Sequence, residues 1–276
     1  MALENLTAEE LQKLLLREKK NGFFKVSAEE LDKADEFSEG YKTFLDEGKT
    51  EREVVEYTLK IIEENGFVPF NAKATYKAGD KVYYNNRGKS ICIAVIGKNG
   101  VKNGARIAAA HIDSPRIDLK PIPLYETNDM AYLKTHYYGG IRKYQWVAMP
   151  LAMHGVIVKK DGEVINVKIG EKEGEPQFCI TDILPHLAKE QNTKPLGQAF
   201  TGEDLNVLVG SRPVRTEDAK EAYKLNVLKA LYEMYGVVEE DLISAEIEFV
   251  PAFKAADIGF DRALIGSYGH DDRVCA

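Results

Sequence analysis

The sequence predicts an α/β protein in which a mostly β region sits inside another fold, and three observations carry that expectation. Helical periodicity dominates the first 66 residues, near-continuous apolar runs follow at 91–96 and 107–110, and residues 119–214 read as short strands broken by turns before a helix and a strand return. With 276 residues, 44% of them hydrophobic, the chain can bury a sizeable core and more than one domain, because single cores stop growing near roughly 250–300 residues.

Three capping-box signatures open the helical region: Thr7 with Glu10, Ser27 with Glu30, and Thr50 with Glu53. In each, a hydroxyl oxygen accepts from an N–H of the first turn while the carboxylate three residues on reaches back, so each marks a helix start. Leu11, Leu14 and Leu15 mark one apolar face; Val54, Val55, Ile61 and Ile62 contribute to another, on a helix that ends near Gly66. Past Gly79 and Asp80, residues 82–84, 91–96 and 107–110 are β-rich, and the last two runs lack polar alternation, which predicts strands buried on both faces. Strands over 156–160 and 164–169 flank Asp161 and Gly162, a hairpin signal. A helix is expected over 217–235, with Ala222, Leu225, Leu228, Leu231 and Tyr232 on one side and Gly236 as its stop, then a strand over 245–250.

A formal charge of −7, with lysines and arginines scattered between acids, lacks the basic footprint that phosphate backbones demand, so no nucleic-acid partner is expected. No run approaches the ~20 apolar residues needed to cross a bilayer, and the opening M-A-L-E-N-L-T-A-E-E has no basic segment followed by an apolar one. The expectation is a cytoplasmic protein with no membrane partner. Cys92, Cys179 and Cys275 are odd in number and far apart, which predicts reduced, mostly buried thiols.

Chemistry concentrates in two places. In R-I-A-A-A-H-I-D-S-P (106–115) an apolar run ends on His111, with Asp113 two positions on, so on a strand both side chains point to one side at the carboxyl end, where open α/β sheets bind ligands. An imidazole can ligate a metal through one nitrogen while a carboxylate accepts the other N–H. The same residues also fit a hydrogen-bonded histidine at a strand end and a turn-capping aspartate before Pro115. In Y-G-H-D-D-R (268–273) two adjacent carboxylates repel unless a cation or donors compensate, and Asp271 has the lone pairs to bridge two metal ions. A solvated acidic turn paired with Arg273 is the alternative there. His270 adjoins the pair, but neighbouring side chains diverge, so it is not counted as a ligand; His136 and His154 are expected to be hydrogen-bonded structural residues.

Taken together, H-I-D-S-P at 111–115, Y-G-G at 138–140, I-L-P-H-L-A at 183–188 and the closing run V-P-A-F-K-A-A-D-I-G-F-D-R-A-L-I-G-S-Y-G-H-D-D-R-V-C-A resemble, in order and spacing, the aspartyl aminopeptidase and aminopeptidase I family, from about residue 81 onward. The resemblance implies a zinc-exopeptidase-like α/β/α catalytic domain interrupted by a β-rich dimerisation domain. On that scheme residues 1–118 begin the catalytic domain, 119–250 form the insertion, and 251–276 return to the catalytic domain. It implies two zinc ions per site, or cobalt or manganese, with His111 a ligand, Asp113 orienting it and Asp271 bridging both. It also implies a cis peptide bond between Asp271 and Asp272, and a histidine, here His186, lent to the neighbouring subunit's site; a plain helix-start histidine beside Pro185 is the other reading of His186.

The implied activity is release of N-terminal amino acids from peptides with a free N-terminus, by a homodimer that builds a dodecamer. Residues 141–153, I-R-K-Y-Q-W-V-A-M-P-L-A-M, depart from the Trp and Asp-Arg-Asp run of eukaryotic members, so an acidic preference does not carry over. The family's remaining ligands and its paired glutamates lie beyond the D-D-R-V-C-A run. Glu9 with Glu10, Glu29 with Glu30, Glu63 with Glu64, and Glu239 with Glu240 fit solvated faces instead. The expectation is therefore a chain truncated before its catalytic domain is complete and inactive alone. Two rivals stay open: a non-catalytic relative or oligomerisation module without metal, and another dinuclear hydrolase on the same fold.

Overall fold

The computed structural model describes residues 6–216 and 218–276. The first five residues of the opening segment, and Glu217 at the expected start of a helix, lie outside the described residues. Contacts divide the chain into two units, ending and beginning at Tyr41 and Lys42.

The first unit holds helix α1 (Ala8–Leu15) and most of α2 (Ala28–Glu47). Both start where the capping boxes predict: Thr7 Oγ1 accepts from the Glu10 N–H and Ser27 Oγ from the Glu30 N–H, each at 3.3 Å. The expected apolar face of α1 is not buried, since Leu14 and Leu15 are exposed. Its capping box, with the Glu10 carboxylate accepting from the Thr7 N–H at 2.8 Å, is the local feature that marks this helix start.

In the second unit, Thr50 and Glu53 cap helix α3 (Glu51–Glu64), which buries Val54, Val55 and Ile62 while Ile61 stays exposed. Strand β1 (Val68–Pro69) runs parallel to β2 (Lys81–Asn86), which pairs antiparallel with β3 (Ser90–Val95). Two expectations fail here. β3 is an edge strand whose Ile93 and Val95 are exposed, and residues 107–110 form no strand, with Ile107 86% exposed. An apolar run becomes a buried strand only where neighbours supply hydrogen bonds and covering layers; β3 is paired with β2 on one side alone, and among the described residues no strand pairs with 107–110.

A seven-stranded antiparallel sheet follows, ordered β7-β6-β10-β4-β5-β9-β8. Its strands are β4 (Arg116–Thr127), β5 (Met130–Tyr138), β6 (Leu151–Val158), β7 (Val164–Ile169), β8 (Cys179–Ile180), β9 (Val207–Gly210) and β10 (Glu246–Pro251), with α4 (Leu196–Ala199) and α5 (Ala222–Tyr235) between β8 and β10. The expected boundary at 118/119 therefore falls within β4. The β4–β5 turn places Asn128 and Asp129 both at positive φ, as a tight hairpin requires, and Asp161 and Gly162 turn β6 into β7 as expected. Ile117, Leu151, Ile157, Val207 and Phe249 are buried in one core.

Helix α5 starts at Ala222, later than the periodicity suggests, because the Glu126 carboxylate on β4 accepts the N–H groups of Tyr223 and Lys224, both at 2.9 Å. A side chain distant in sequence thus caps it. The hairpin of β11 (Ala256–Ile258) and β12 (Leu264–Gly266) leads to the short helix α6 (His270–Arg273). The peptide bond between Asp271 and Asp272 is trans, against expectation, as fits two residues within one helical turn. Nor are the thiols mostly buried: Cys92 and Cys275 are exposed and Cys179 is half-buried, all three free.

Candidate metal centre

His111 and Asp113 lie on the irregular segment leading into β4, not on a strand, yet they touch. The His111 Nδ1 lies 3.1 Å from the backbone oxygen of Asp113 and 3.3 Å from its Oδ1. Both contacts use Nδ1, so Nε2 is the nitrogen left for another partner.

Asp113 is held from its other oxygen as well, for the Tyr138 hydroxyl donates to Oδ2. Tyr138 closes β5 opposite Arg116, whose guanidinium lies 4.3 Å from the centre of the tyrosine ring. Burial works to raise the Asp113 carboxyl, but the hydrogen bonds from Tyr138, its own backbone and His111 outweigh it and hold it below the ordinary carboxylate value. The Tyr138 hydroxyl is raised in return, chiefly by its bond to Asp113. The Y-G-G motif has a local reason: Gly139 sits at φ +73°, and a Cβ there would press on Pro115 at 3.3 Å.

The second motif meets the first through backbone. The Tyr268 hydroxyl donates to the Pro115 carbonyl at 2.9 Å, across 153 positions of sequence. Gly269, at φ +66°, approaches so closely that a Cβ would lie 2.5 Å from Ser114 Oγ. The turn carrying Asp271 is thereby seated on the residues directly after Asp113, and Asp271 itself is exposed. His270 is turned to other work, its Nδ1 lying 3.0 Å from the Ile265 carbonyl.

Arg273 does not form the solvated acidic turn that the sequence allows. It is 1% exposed, and its guanidinium donates to the carbonyls of Tyr268 at 3.1 Å and Lys49 at 2.8 Å. The Lys49 ammonium, also buried, donates to Glu171 at 2.7 Å and to the carbonyls of Pro251 and Phe253. Sequence reasoning missed this arch of two buried cations; its only trace is a pair of basic residues beside a capping box and an acidic turn.

His186 stands in an exposed turn, not at a helix start. Among the described residues no hydrogen bond joins it to His111, Asp113 or Asp271. His136 is exposed, with Nδ1 3.4 Å from the Tyr137 carbonyl. His154 is the structural histidine expected: 1% exposed, it bridges Glu53 through Nδ1 and Glu171 through Nε2, each at 2.9 Å. Burial disfavours its charged form, but the two carboxylates outweigh that and raise its pKa, and His154 with Lys168 draws Glu53 down to about 2 despite burial.

Among the described residues one trio of carboxylates, Glu51, Glu246 and Glu248, clusters closely enough to hold a cation, but protein cations already occupy it. Arg116 reaches Glu51 at 3.1 Å and Glu248 at 3.3 Å, Lys89 reaches Glu51 at 3.0 Å, and Lys89 and Arg52 both pair with Glu246. Burial, and then Glu51, push Glu248 up to about 8 despite Arg116. Arg116 offsets this burial only in part, because it is shared with Glu51 and Asp118, to both of which it donates hydrogen bonds.

An α/β chain that joins an H-x-D segment to a second acidic segment in one place defines a candidate metal-dependent hydrolase. The chain belongs to the family described as aminopeptidase I zinc metalloprotease (M18), which it matches over residues 44–276. A probable M18 family aminopeptidase 1 from Clostridium acetobutylicum is 50% identical over 266 residues, covering 95% of this chain and 57% of that protein. The crystal structure of an M18 aminopeptidase from Thermotoga maritima superposes with a TM-score of 0.88 at 46% identity, covering 94% of this chain and 56% of that one. The S. cerevesiae mApe1 dodecamer, at 18% identity and a TM-score of 0.60 over 84% of this chain and 52% of that one, shares the fold alone. The chain thus spans just over half the length of the relatives it matches.

Proposed function

We propose that the whole protein is a metal-dependent aminopeptidase that releases N-terminal amino acids from peptides, using a water activated at a pair of zinc ions. The observation that carries this reading is the seating of the Asp271 turn on the H-I-D-S-P segment through Tyr268 with Pro115 and Gly269 with Ser114. The donor chemistry fits zinc, which takes histidine nitrogen and carboxylate oxygen readily. His111 Nε2 and the exposed Asp271 carboxylate would hold it; when bound, zinc supplies Lewis acidity and makes a bound water acidic near neutral pH.

The chain's own residues do the positioning. Asp113 accepts from Nδ1 of His111, so Nε2 keeps its lone pair and the ring its orientation. Tyr138 fixes the other Asp113 oxygen and keeps the carboxylate ionised. Arg273 holds the Asp271 turn by donating to the carbonyls of Tyr268 and Lys49, and the Lys49 ammonium in turn donates to the carbonyls of Pro251 and Phe253. Free α-amine recognition at the site would confine cleavage to the first peptide bond.

The proposal extends to assembly. Residues 119–250 would form a β-rich dimerisation domain inside the catalytic domain, His186 would act in a neighbouring subunit, and copies would associate, as in the yeast relative described as a dodecamer. A cytoplasmic location is part of the same reading; among the described residues no helix is long and apolar enough to cross a membrane.

Zinc content and release of N-terminal residues from unblocked peptides test the reading on the full-length protein. Wild type is expected to retain zinc through dialysis and to spare N-acetylated peptides. His111→Ala and Asp271→Ala are each expected to lose zinc and on the order of a thousandfold in kcat/KM. Equal rates on free and acetylated peptides, or full zinc in both variants, would defeat it.

A further inference from the structure

The seven-stranded sheet meets the Asp271 turn through three side chains laid end to end. Glu171, in the loop after β7, accepts from the Lys49 ammonium at 2.7 and 3.0 Å and lies 2.9 Å from Nε2 of His154. Lys49 is pinned at three points: its ammonium also donates to the Pro251 and Phe253 carbonyls, its N–H donates to Glu53 at 3.1 Å, and its carbonyl accepts from Arg273 at 2.8 Å. Arg273 passes the contact on by donating to the Tyr268 carbonyl at 3.1 Å. A Cβ on Gly269 would lie 2.5 Å from Arg273 Nη1, so the turn is folded closely over the guanidinium.

The loop that presents Glu171 is itself fixed. One carboxylate oxygen of Glu175 accepts the N–H groups of Gly170, Glu171 and Lys172 at 2.9, 3.1 and 3.2 Å, and Gln177 Nε2 donates to the Gly170 carbonyl at 3.1 Å. Gly170 sits at φ +102°, where a Cβ would stand 3.2 Å from both the Ala152 Cα and the Pro176 carbonyl oxygen. Three amides converging on one oxygen hold the backbone on either side of Glu171. Burial works to raise the Glu171 carboxyl, but the hydrogen bonds from His154 and Lys49 outweigh it and hold it below the ordinary carboxylate value. Near neutral pH it is therefore an anion facing Lys49 and His154 in a site that screens little of their attraction.

Lys49 offers Arg273 a carbonyl and not a charge, so what Arg273 requires of it is a position. A shift of the Lys49 backbone moves the acceptor on which Arg273 rests, and Asp271 stands two positions before Arg273 in the same short helix.

We propose that Glu171 is a positioning residue for the Asp271 turn: by fixing Lys49 it sets the carbonyl on which Arg273 rests, and through Arg273 it places the Asp271 carboxylate. Its effect on zinc rests on the aminopeptidase reading above, whereas its effect on the turn is measurable without metal.

Amide hydrogen exchange over residues 268–276 is measured on the zinc-free full-length protein, and zinc affinity by competition with a chelating dye. The N–H groups of Arg273 and Val274, which donate to Gly269 and His270 at 3.1 Å, are the reporters. Glu171→Leu is expected to speed exchange there about tenfold, with the β4–β5 hairpin unchanged. The same variant is expected to weaken zinc about 10–100-fold. Glu171→Gln keeps an oxygen for Lys49 and is expected to stay within about threefold of wild type in both measurements. Lys168→Met takes a cation from Glu53 Oε1, leaves every Lys49 bond in place, and is expected to change neither.

Unchanged exchange at 268–276 in Glu171→Leu overturns the proposal, as does equal acceleration in the β4–β5 hairpin or in Lys168→Met, or faster exchange with zinc affinity unchanged. If Glu171→Leu does not fold, Glu175→Gln decides, because it loosens the amides around Glu171 without removing a buried charge. Exchange about threefold faster at 268–276 supports the proposal there, and wild-type exchange overturns it. A wild type that binds no zinc defeats the aminopeptidase reading, and the exchange comparison then decides the role of Glu171 by itself.

Discussion

His154 and His111 are the same side chain in opposite situations. His154 lies in the middle of β6, 1% exposed, with both nitrogens tied to carboxylates, and those carboxylates are themselves paired with Lys49 and Lys168. His111 lies on an exposed irregular segment with Nδ1 engaged and, among the described residues, no partner at Nε2. A buried imidazole with two acidic partners is a charged structural tie between α3, β6 and the segment after β7. On the proposed reading, a histidine oriented at Nδ1 and open at Nε2 is the one that takes a metal. Exposure and the count of satisfied nitrogens, more than residue type, separate scaffold from site.

The largest effect that sharpens this contrast is on stability. His154→Ala leaves the half-buried Glu53 and Glu171 with only Lys168 and Lys49 as cationic partners, and loss of one member of such a cluster costs about 3–5 kcal/mol. Urea unfolding of the chain should show a loss on that scale, while His111→Ala should stay within about 0.5 kcal/mol, as an exposed substitution does. If both histidines proved equally costly, the division into scaffold and site would fail.

The pH dependence of unfolding tests the buried charges next. The raised pKa of Glu248 makes its contribution full below 4.5 and lost as pH rises through about 8. His154, also raised, acts in the same direction: its contribution is full below 6.5 and lost as pH climbs through the folded value. Glu53 is the opposite case, stabilising above 4.5 and losing that contribution as pH falls toward about 2. Glu248→Gln, which mimics the neutral acid, should flatten the decline between 4.5 and about 8 by a few kcal/mol and leave the acid limb unchanged. A slope in this window identical to wild type would show that Glu248 is already ionised there.

Around His111 the effects are smaller and fall on metal affinity. Asp113→Asn keeps the shape but weakens acceptance from Nδ1, and zinc affinity should drop about 10–100-fold, read by competition with a chelating dye. Tyr138→Phe removes one donor to Asp113 and should cost about 1 kcal/mol of the same affinity. Its signature is an Asp113 pKa that moves up toward the ordinary value when followed by carboxyl NMR.

Much of the chain was legible in its sequence wherever local interactions decide. All three capping boxes form, and the Asp161 and Gly162 hairpin turns where expected. His111 and Asp113 are in contact as their spacing suggested, although the segment is not a strand. Burial was not legible in the same way: the apolar runs at 91–96 and 107–110 stay exposed, because periodicity describes one strand and burial depends on what packs over it.

By itself the sequence determined the starts of α1, α2 and α3, the turn at Asp161 and Gly162 and the residue types able to bind a metal, since each depends on atoms within a few positions along the chain. Only the tertiary structure decided that β10 enters between β6 and β4, that Glu126 starts α5, that Lys49 and Arg273 brace the Asp271 turn, and that Tyr268 joins the two acidic segments. Those are contacts between residues far apart in sequence. Their energies come from excluding water around paired groups, which no local pattern encodes.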